Sequence, residues 1–501
     1  MRQDVSVPQN VNPSDDCRSV RCRGNVQDLD DAVMLHRDAL ALHPVGHPDR
    51  SMLLNNLANV LSIRFKHRGN VQDLDNTVML HRDALALRPF GHPDRSKSLN
   101  NLATVLSTRF KHRGNDQDLD DAVMLHRDAL ALRPVGHPDR SSSLNNLGNL
   151  LSTRFVHRRG REDLHESQEN LCCALTLLTQ HSPLLLIVHG SLANVYMLFD
   201  QSELNGTGEH IDSLAAAMHH LQAAANVVSG GLLSRLRVGL HWVNKAHEHS
   251  HATELEAYAT SMQLLDTYMS ATASVSSRHH AMKDFPSTLA VDAASCALRS
   301  GDVCRAVELL EQGRTVIWTQ MTRLRTPLDG LQDLGDHAVA LMKKFRDLSS
   351  LLDTPPTNYQ EGTPSINVEA EASRYRRLVE DWNRVVEDIR KIEGFSRFLL
   401  PPLFSDLQDA ARDGPIVVLV GSKSSCDAII IPHNQPPISI KLRINLEKLQ
   451  NLVKRFQSAT ASTPAPKPAP KPAPKSIHSA LMKALRELWN DIVHPVVEHL
   501  S

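Results

Sequence analysis

The residues of this chain whose types and spacing could do chemistry are asparagines, histidines and cysteines. Asn56, Asn101 and Asn146 recur every 45 residues, each following another asparagine, Asn55, Asn100 and Asn145. An amide side chain offers a donor and an acceptor together, which suits it to hold an extended peptide backbone. Asn59, Thr104 and Asn149 stand one helical turn further on. The competing role is structural: the second asparagine of each pair bridges neighbouring helices or stays solvated. The chain has 27 histidines, many of them phased, as His36, His81 and His126 and again as His47, His92 and His137. Repetition accounts for such rows without a metal. His247, His249 and His251 come nearer to a ligand set, because 247 and 251 would share a helical face. Two ligands do not close a site, however, and no HExxH is present. The seven cysteines include no CxxC pair, so neither a disulfide framework nor a zinc site is expected. Cys296 and Cys304 lie on helical patterns and read as small core residues. No metal ligand, no cofactor and no catalytic residue is expected from these sets.

The period itself says what must position them. Gly69 and Gly114 are 45 residues apart, as are His92 and His137, and the words of residues 98–141 recur one copy earlier and, less completely, one copy later. A fixed period of this length marks stacked units that bury their apolar faces only against their neighbours. In the copy at 98, Leu99, Leu102, Ala103, Leu106 and Phe110 form one helical stripe. Gly114 can end that helix. Asn115 can cap the next one, with Asp118 completing a capping-box-like pair. Leu119, Ala122, Val123, His126, Ala129 and Leu130 line the second helix, and Pro134 and Gly136 break it before Asp139 or Ser141 starts the next unit. Aspartates 116, 118, 120 and 121 lie at the start of that helix and Arg127 and Arg133 toward its end, the polarity a helix dipole favours. The expected fold is mostly α, an α-solenoid of helical hairpins.

These residues resemble the tetratricopeptide family. Leu99, Leu102, Ala103 and Leu106 match its large-large-small-large set in the first helix, and Ala122, Ala129 and Pro134 match its second. His126 occupies the family's aromatic place, and the unit is longer than the 34-residue type. HPDRSxSLNNLA resembles the long repeats of kinesin light chains and of fungal proteins that join such repeats to a CHAT domain. The resemblance implies that the first helices line a groove, in which Asn56, Asn101 and Asn146, with Asn59, Thr104 and Asn149, would hold a partner peptide.

The chain is read as four stretches. Residues 1–23 are a frayed N-terminus, and 24–228 hold the long-period repeats. Residues 229–395 are degenerate helical repeats and a long helix from Tyr375 to Ile392, with a repeat of ordinary length at 288–319. The last stretch, 396–501, changes texture. PIVVLVG, CDAIIIP and PISIKL give three strands within thirty residues, followed by helices in which Pro495 should bend or interrupt the chain. TPAPKPAPKPAPK, residues 463–475, favours polyproline II. GPIVVLVGSKSSCDAIII resembles the opening of a CHAT domain, the caspase-like cysteine-peptidase relative. That resemblance implies a small, partial α/β module that stops before the family's catalytic histidine and cysteine. Cys426 and His433 lie outside those positions and read as structural. No enzymatic activity is expected of the chain as it stands. A gene product continuing past Ser501 would be the sensor region of a cysteine peptidase.

Whole-chain numbers set bounds. Lys plus Arg total 55 against 56 Asp plus Glu, so charge makes no case for nucleic acid or an anionic membrane. A 4% aromatic content suits Ala- and Leu-rich helix packing. The first thirty residues lack a continuous apolar core, and no run of 18 apolar residues occurs. The expectation is a cytoplasmic scaffold that binds a protein or peptide, with self-association left open.

Overall fold

The computed structural model describes residues 26–202, 212–271, 285–321, 329–353, 366–400, 403–460 and 474–500. The frayed N-terminus and nearly all of the Pro-Lys stretch lie outside the described residues. The chain divides into two compact units: residues up to Trp242 with Ser350–Trp382, and Val243–Ser349 with Asn383–Ser501.

The first unit is an α-solenoid of helical hairpins. Its helices are α1 (Val26–Ala41), α2 (Arg50–Arg68), α3 (Val71–Ala86), α4 (Arg95–Arg113), α5 (Asp116–Ala131), α6 (Arg140–Arg158), α7 (Arg161–Thr176), α8 (Leu184–Gln201) and α9 (Ser213–Ala225). The pairs α2/α3, α4/α5, α6/α7 and α8/α9 are the hairpins, and each packs on the next through consecutive helices. The apolar stripe read from the sequence is the core: Leu99, Leu102, Ala103, Leu106 and Phe110 are all buried, with Leu119, Ala122 and Val123 facing them. Gly114 ends α4 at φ 68°, a left-handed conformation that glycine adopts without a Cβ penalty, and its N–H donates to the Phe110 carbonyl. The third hairpin puts Arg159 in that place at φ 61°. Asn115 caps α5 by accepting from the Gln117 N–H at 3.1 Å.

Asp118 does not complete a capping box. Its two carboxylate oxygens accept from Arg109 Nε at 2.7 Å and Nη2 at 2.6 Å, across the hairpin turn. Arg64 and Arg154 hold Asp73 and Asp163 in the same way. Aspartates of the preceding repeat close the clamp: Asp30 meets Arg64 and Arg68, Asp75 meets Arg109 and Arg113, and Asp120 meets Arg154 and Arg158. A planar guanidinium matches a carboxylate with two parallel bonds, which fixes orientation as well as charge. The aspartates therefore tie repeat to repeat.

Arg88 and Arg133 are buried, and Arg133 is 1% exposed. Arg133 donates to Ser96 Oγ, Ser143 Oγ and the Asp139 carbonyl, and Arg88 likewise to Ser51 Oγ, Ser98 Oγ and the Asp94 carbonyl. Each arginine thus joins the first helices of two successive hairpins. Among the described helices, α8 is long and apolar enough to cross a membrane; its Leu184, Val188, Leu192, Val195 and Phe199 lie in the core of the fourth hairpin.

Helices α10 (Leu232–Glu248), α14 (Asp336–Asp353) and α15 (Ile366–Arg390) contain residues of both units. The second unit holds α11 (Glu254–Ala271) and a close hairpin of α12 (Leu289–Arg299) and α13 (Val303–Met321). A Cβ at Gly313 would lie 2.1 Å from that of Ala290, so only glycine permits this helix approach. After α16 (Phe404–Gln408) come β1 (Ile416–Gly421), β2 (Cys426–Ile431) and β3 (Ile438–Lys441), antiparallel in the order β1-β2-β3. β2 is buried along its whole length. Cys426, Ala428, Ile430 and Ile440 form one core with Leu452 of α17 (Leu446–Thr460), Ala484 of α18 (Pro474–Leu488) and Val496 of α19 (His494–Leu500). Pro495 does not interrupt the helix. The π turn Trp489–Val493 joins α18 to α19 directly, with the His494 N–H donating to the Trp489 carbonyl.

Candidate partner-binding row on the first helices

The first helices α2, α4, α6 and α8 approach one another across repeats, α4 against α6 and α6 against α8. The paired asparagines make that approach. Asn101 Nδ2 donates to Asn55 Oδ1 at 3.1 Å, and Asn146 Nδ2 donates to Asn100 Oδ1 at 3.3 Å. In the next copy Ser191 takes the second place and donates to Asn145 Oδ1 at 3.0 Å. The first asparagine of each pair is buried and accepts; the second is half-buried, and Asn101 and Asn146 donate. The bridging role weighed for these residues is therefore filled by Asn101 and Asn146. Each does so through its NH2 group, and the amide oxygen has no partner among the described residues. Asn56, in the first row, is half-buried on the same face.

One turn along, Asn59 and Asn149 are half-buried and Thr104 is exposed. The Thr104 hydroxyl donates to the Asn100 carbonyl at 2.9 Å, while the amides of Asn59 and Asn149 have no partner among the described residues. The row continues one repeat further, at Asn194 of α8, which is exposed and lies 45 residues after Asn149. Sequence reading missed it because the copy that carries it has drifted, though the period alone would have found it. Asn59, Thr104, Asn149 and Asn194 thus present a line of amide and hydroxyl groups, one per repeat, above a row of amide bridges. Such a line can donate to and accept from backbone lying across the repeats.

The other candidate groups are not brought together. α10 ends at Glu248, so His247 and His251 do not share a helical face. His247 Nδ1 bonds Glu254 Oε1 at 2.8 Å, and His251 Nδ1 bonds Thr253 Oγ1 at 2.9 Å. Cys426 opens β2, and the exposed His433 follows its far end. At about 3.3 Å per residue the strand alone separates them by roughly 17 Å, too far for a dyad. Burial pushes the Cys426 thiol up, and burial with the Glu254 carboxylate pushes Cys296 to about 11, so neither offers a thiolate near neutral pH. Cys304 is raised as well, again chiefly by burial.

No protein-family model matches the chain, and no curated protein does. Among solved structures the chain is similar to BtubC (BKLC) from P. vanneervenii, at 12% identity and a TM-score of 0.31, over 60% of this chain and 92% of that one. A likeness at that level carries no argument about function.

Proposed function

We propose that the first unit is a cytoplasmic interaction scaffold of tetratricopeptide type, holding an extended segment of a partner protein along its first helices. The observation that carries this reading is the line Asn59, Thr104, Asn149 and Asn194, one polar group per repeat on one face. Repeat surfaces of this kind are common binding faces. The Asn101–Asn55 and Asn146–Asn100 bonds support it, because they fix the spacing that a bound backbone would have to match. The test is to pan a random peptide library on the full chain and measure a recovered peptide by fluorescence anisotropy. Replacing all four line residues by alanine should weaken binding at least tenfold without changing the thermal melt. Unchanged affinity would remove the line from the site.

A second reading concerns the C-terminal module, as the opening of a CHAT domain regulated by the repeats. What favours it is the antiparallel β1-β2-β3 sheet at the segments that carry the resemblance. Sequencing the transcript past codon 501 tests it. An in-frame continuation with a histidine segment and a strand-end cysteine supports the reading, and a stop codon contradicts it.

A further inference from the structure

At one position the first copy loses a charged group that the next two share. Where the second and third copies carry Arg88 and Arg133, the first carries His43. In those later copies the guanidinium lies 3.9 and 3.8 Å from the aspartate preceding the next helix, Asp94 or Asp139. The first copy has no guanidinium at that position. Asp49, the equivalent aspartate, is left with two imidazoles.

These three groups converge. One ligand atom each from His43, His47 and Asp49 lies within 4.8 Å of the other two. The two rings meet edge to face with centroids 4.3 Å apart, and His47 Nδ1 is 4.0 Å from Asp49 Oδ2. His43 Nδ1 bonds the Ala39 carbonyl at 2.7 Å. A carbonyl can only accept, so Nδ1 carries the proton and the ring's lone pair is on Nε2. This is the outer-shell bond that orients metal-bound histidines. The His47 Nδ1 lone pair accepts from the Asp49 N–H at 3.2 Å, and so points toward the same turn. His92 and His137 make the equivalent bond at 3.1 Å, but with Arg88 or Arg133 in place of a histidine they have no second imidazole beside them among the described residues.

We propose that His43 Nε2, His47 Nδ1 and the Asp49 carboxylate bind one divalent transition-metal ion, which stands in for the missing guanidinium. Two imidazoles and a carboxylate suit zinc, with nickel and copper next, and do not suit calcium or magnesium. Closing to ligand distances near 2.1 Å needs a contraction of about 1 Å, which the exposed Asp49 side chain can make. His47 exchanges its amide hydrogen bond for the metal bond. Water completes the coordination. Sequence phasing passed over the site because His43 belongs to neither histidine row.

The test is a cobalt titration of the full chain after chelator treatment, under reducing conditions, followed by visible absorption and by calorimetry with zinc. One equivalent should bind more tightly than the surface histidines, giving a d–d band without thiolate charge transfer. His43→Arg installs the residue of the next two copies and should keep the fold; it should weaken that equivalent at least tenfold. Asp49→Asn should weaken it too, and His92→Gln should leave it unchanged. A thiolate charge-transfer band would assign the ion to cysteine and overturn the proposal. So would equal binding by His43→Arg and Asp49→Asn, or the absence of a distinct tight equivalent.

Discussion

Acidification should destabilise the repeats well before their carboxylates are protonated, and two buried histidines should be a main cause. His81 and His126 occupy the same place in successive second helices, at 1% and 3% exposure, and Nδ1 of each has no hydrogen-bond partner among the described residues. Burial, with a smaller contribution from the nearby Arg88 or Arg133, pushes His81 down to about 4 and His126 to about 3. The folded pKa lies below the unfolded value, so the unfolded chain binds more protons as pH falls. Stability is therefore complete above about pH 6.5 and declines from there toward the folded values. At about 1.4 kcal/mol per pH unit per group, the loss between pH 7 and 4.5 is roughly 2.5 kcal/mol for each histidine and about 5 kcal/mol for both. Urea unfolding followed by circular dichroism at half-unit steps measures it. His81→Gln with His126→Gln removes both titrations and should reduce the slope in that window; His220, which burial also pushes down to about 4, and His189 supply the remainder. An equal slope in the double variant would show that these histidines do not drive the loss, as would two core histidine resonances that titrate near pH 6.

Two further expectations follow from the packing. Arg109→Ala leaves the buried Asp118 carboxylate without its bidentate partner and should cost about 3 kcal/mol or more. Asp118→Asn in the same background should recover some of the loss, and chemical denaturation reads both. Gly148 occupies the small position held by Ala58 and Ala103 in earlier copies, and a Cβ there would come 2.8 Å from Leu171 Cγ. Gly148→Ala should lower the melting temperature, by about 1–3 kcal/mol of stability, and Leu171→Ala should relieve the clash.

Much of this was legible because it rests on local rules. The stripe from Leu99 to Phe110, the glycine cap at 114, the Asn115 cap and the three strands each follow from a few neighbouring residues. What escaped depends on distant groups. An aspartate early in a helix reads as a cap, and only the packed hairpin shows that Arg109 reaches Asp118 across the turn. An arginine near a helix end reads as complementing the helix dipole, yet Arg133 is buried because Ser96 and Ser143 of two different helices supply acceptors. Pro495 reads as a break, since the sequence does not show that a π turn can precede it. For the candidate site, the asparagine rows and their period were legible. The allocation of Asn101 and Asn146 to bridging required the neighbouring repeat, whereas the 45-residue period alone already reaches Asn194.

The central claim is that a partner segment lies along the first helices. Hydrogen–deuterium exchange of the full chain, with and without a saturating panned peptide, tests it most directly. Added protection is expected in α2, α4, α6 and α8, centred on the turns that carry Asn59, Thr104, Asn149 and Asn194. Protection confined to α3, α5 and α7, or to the C-terminal module, would contradict it.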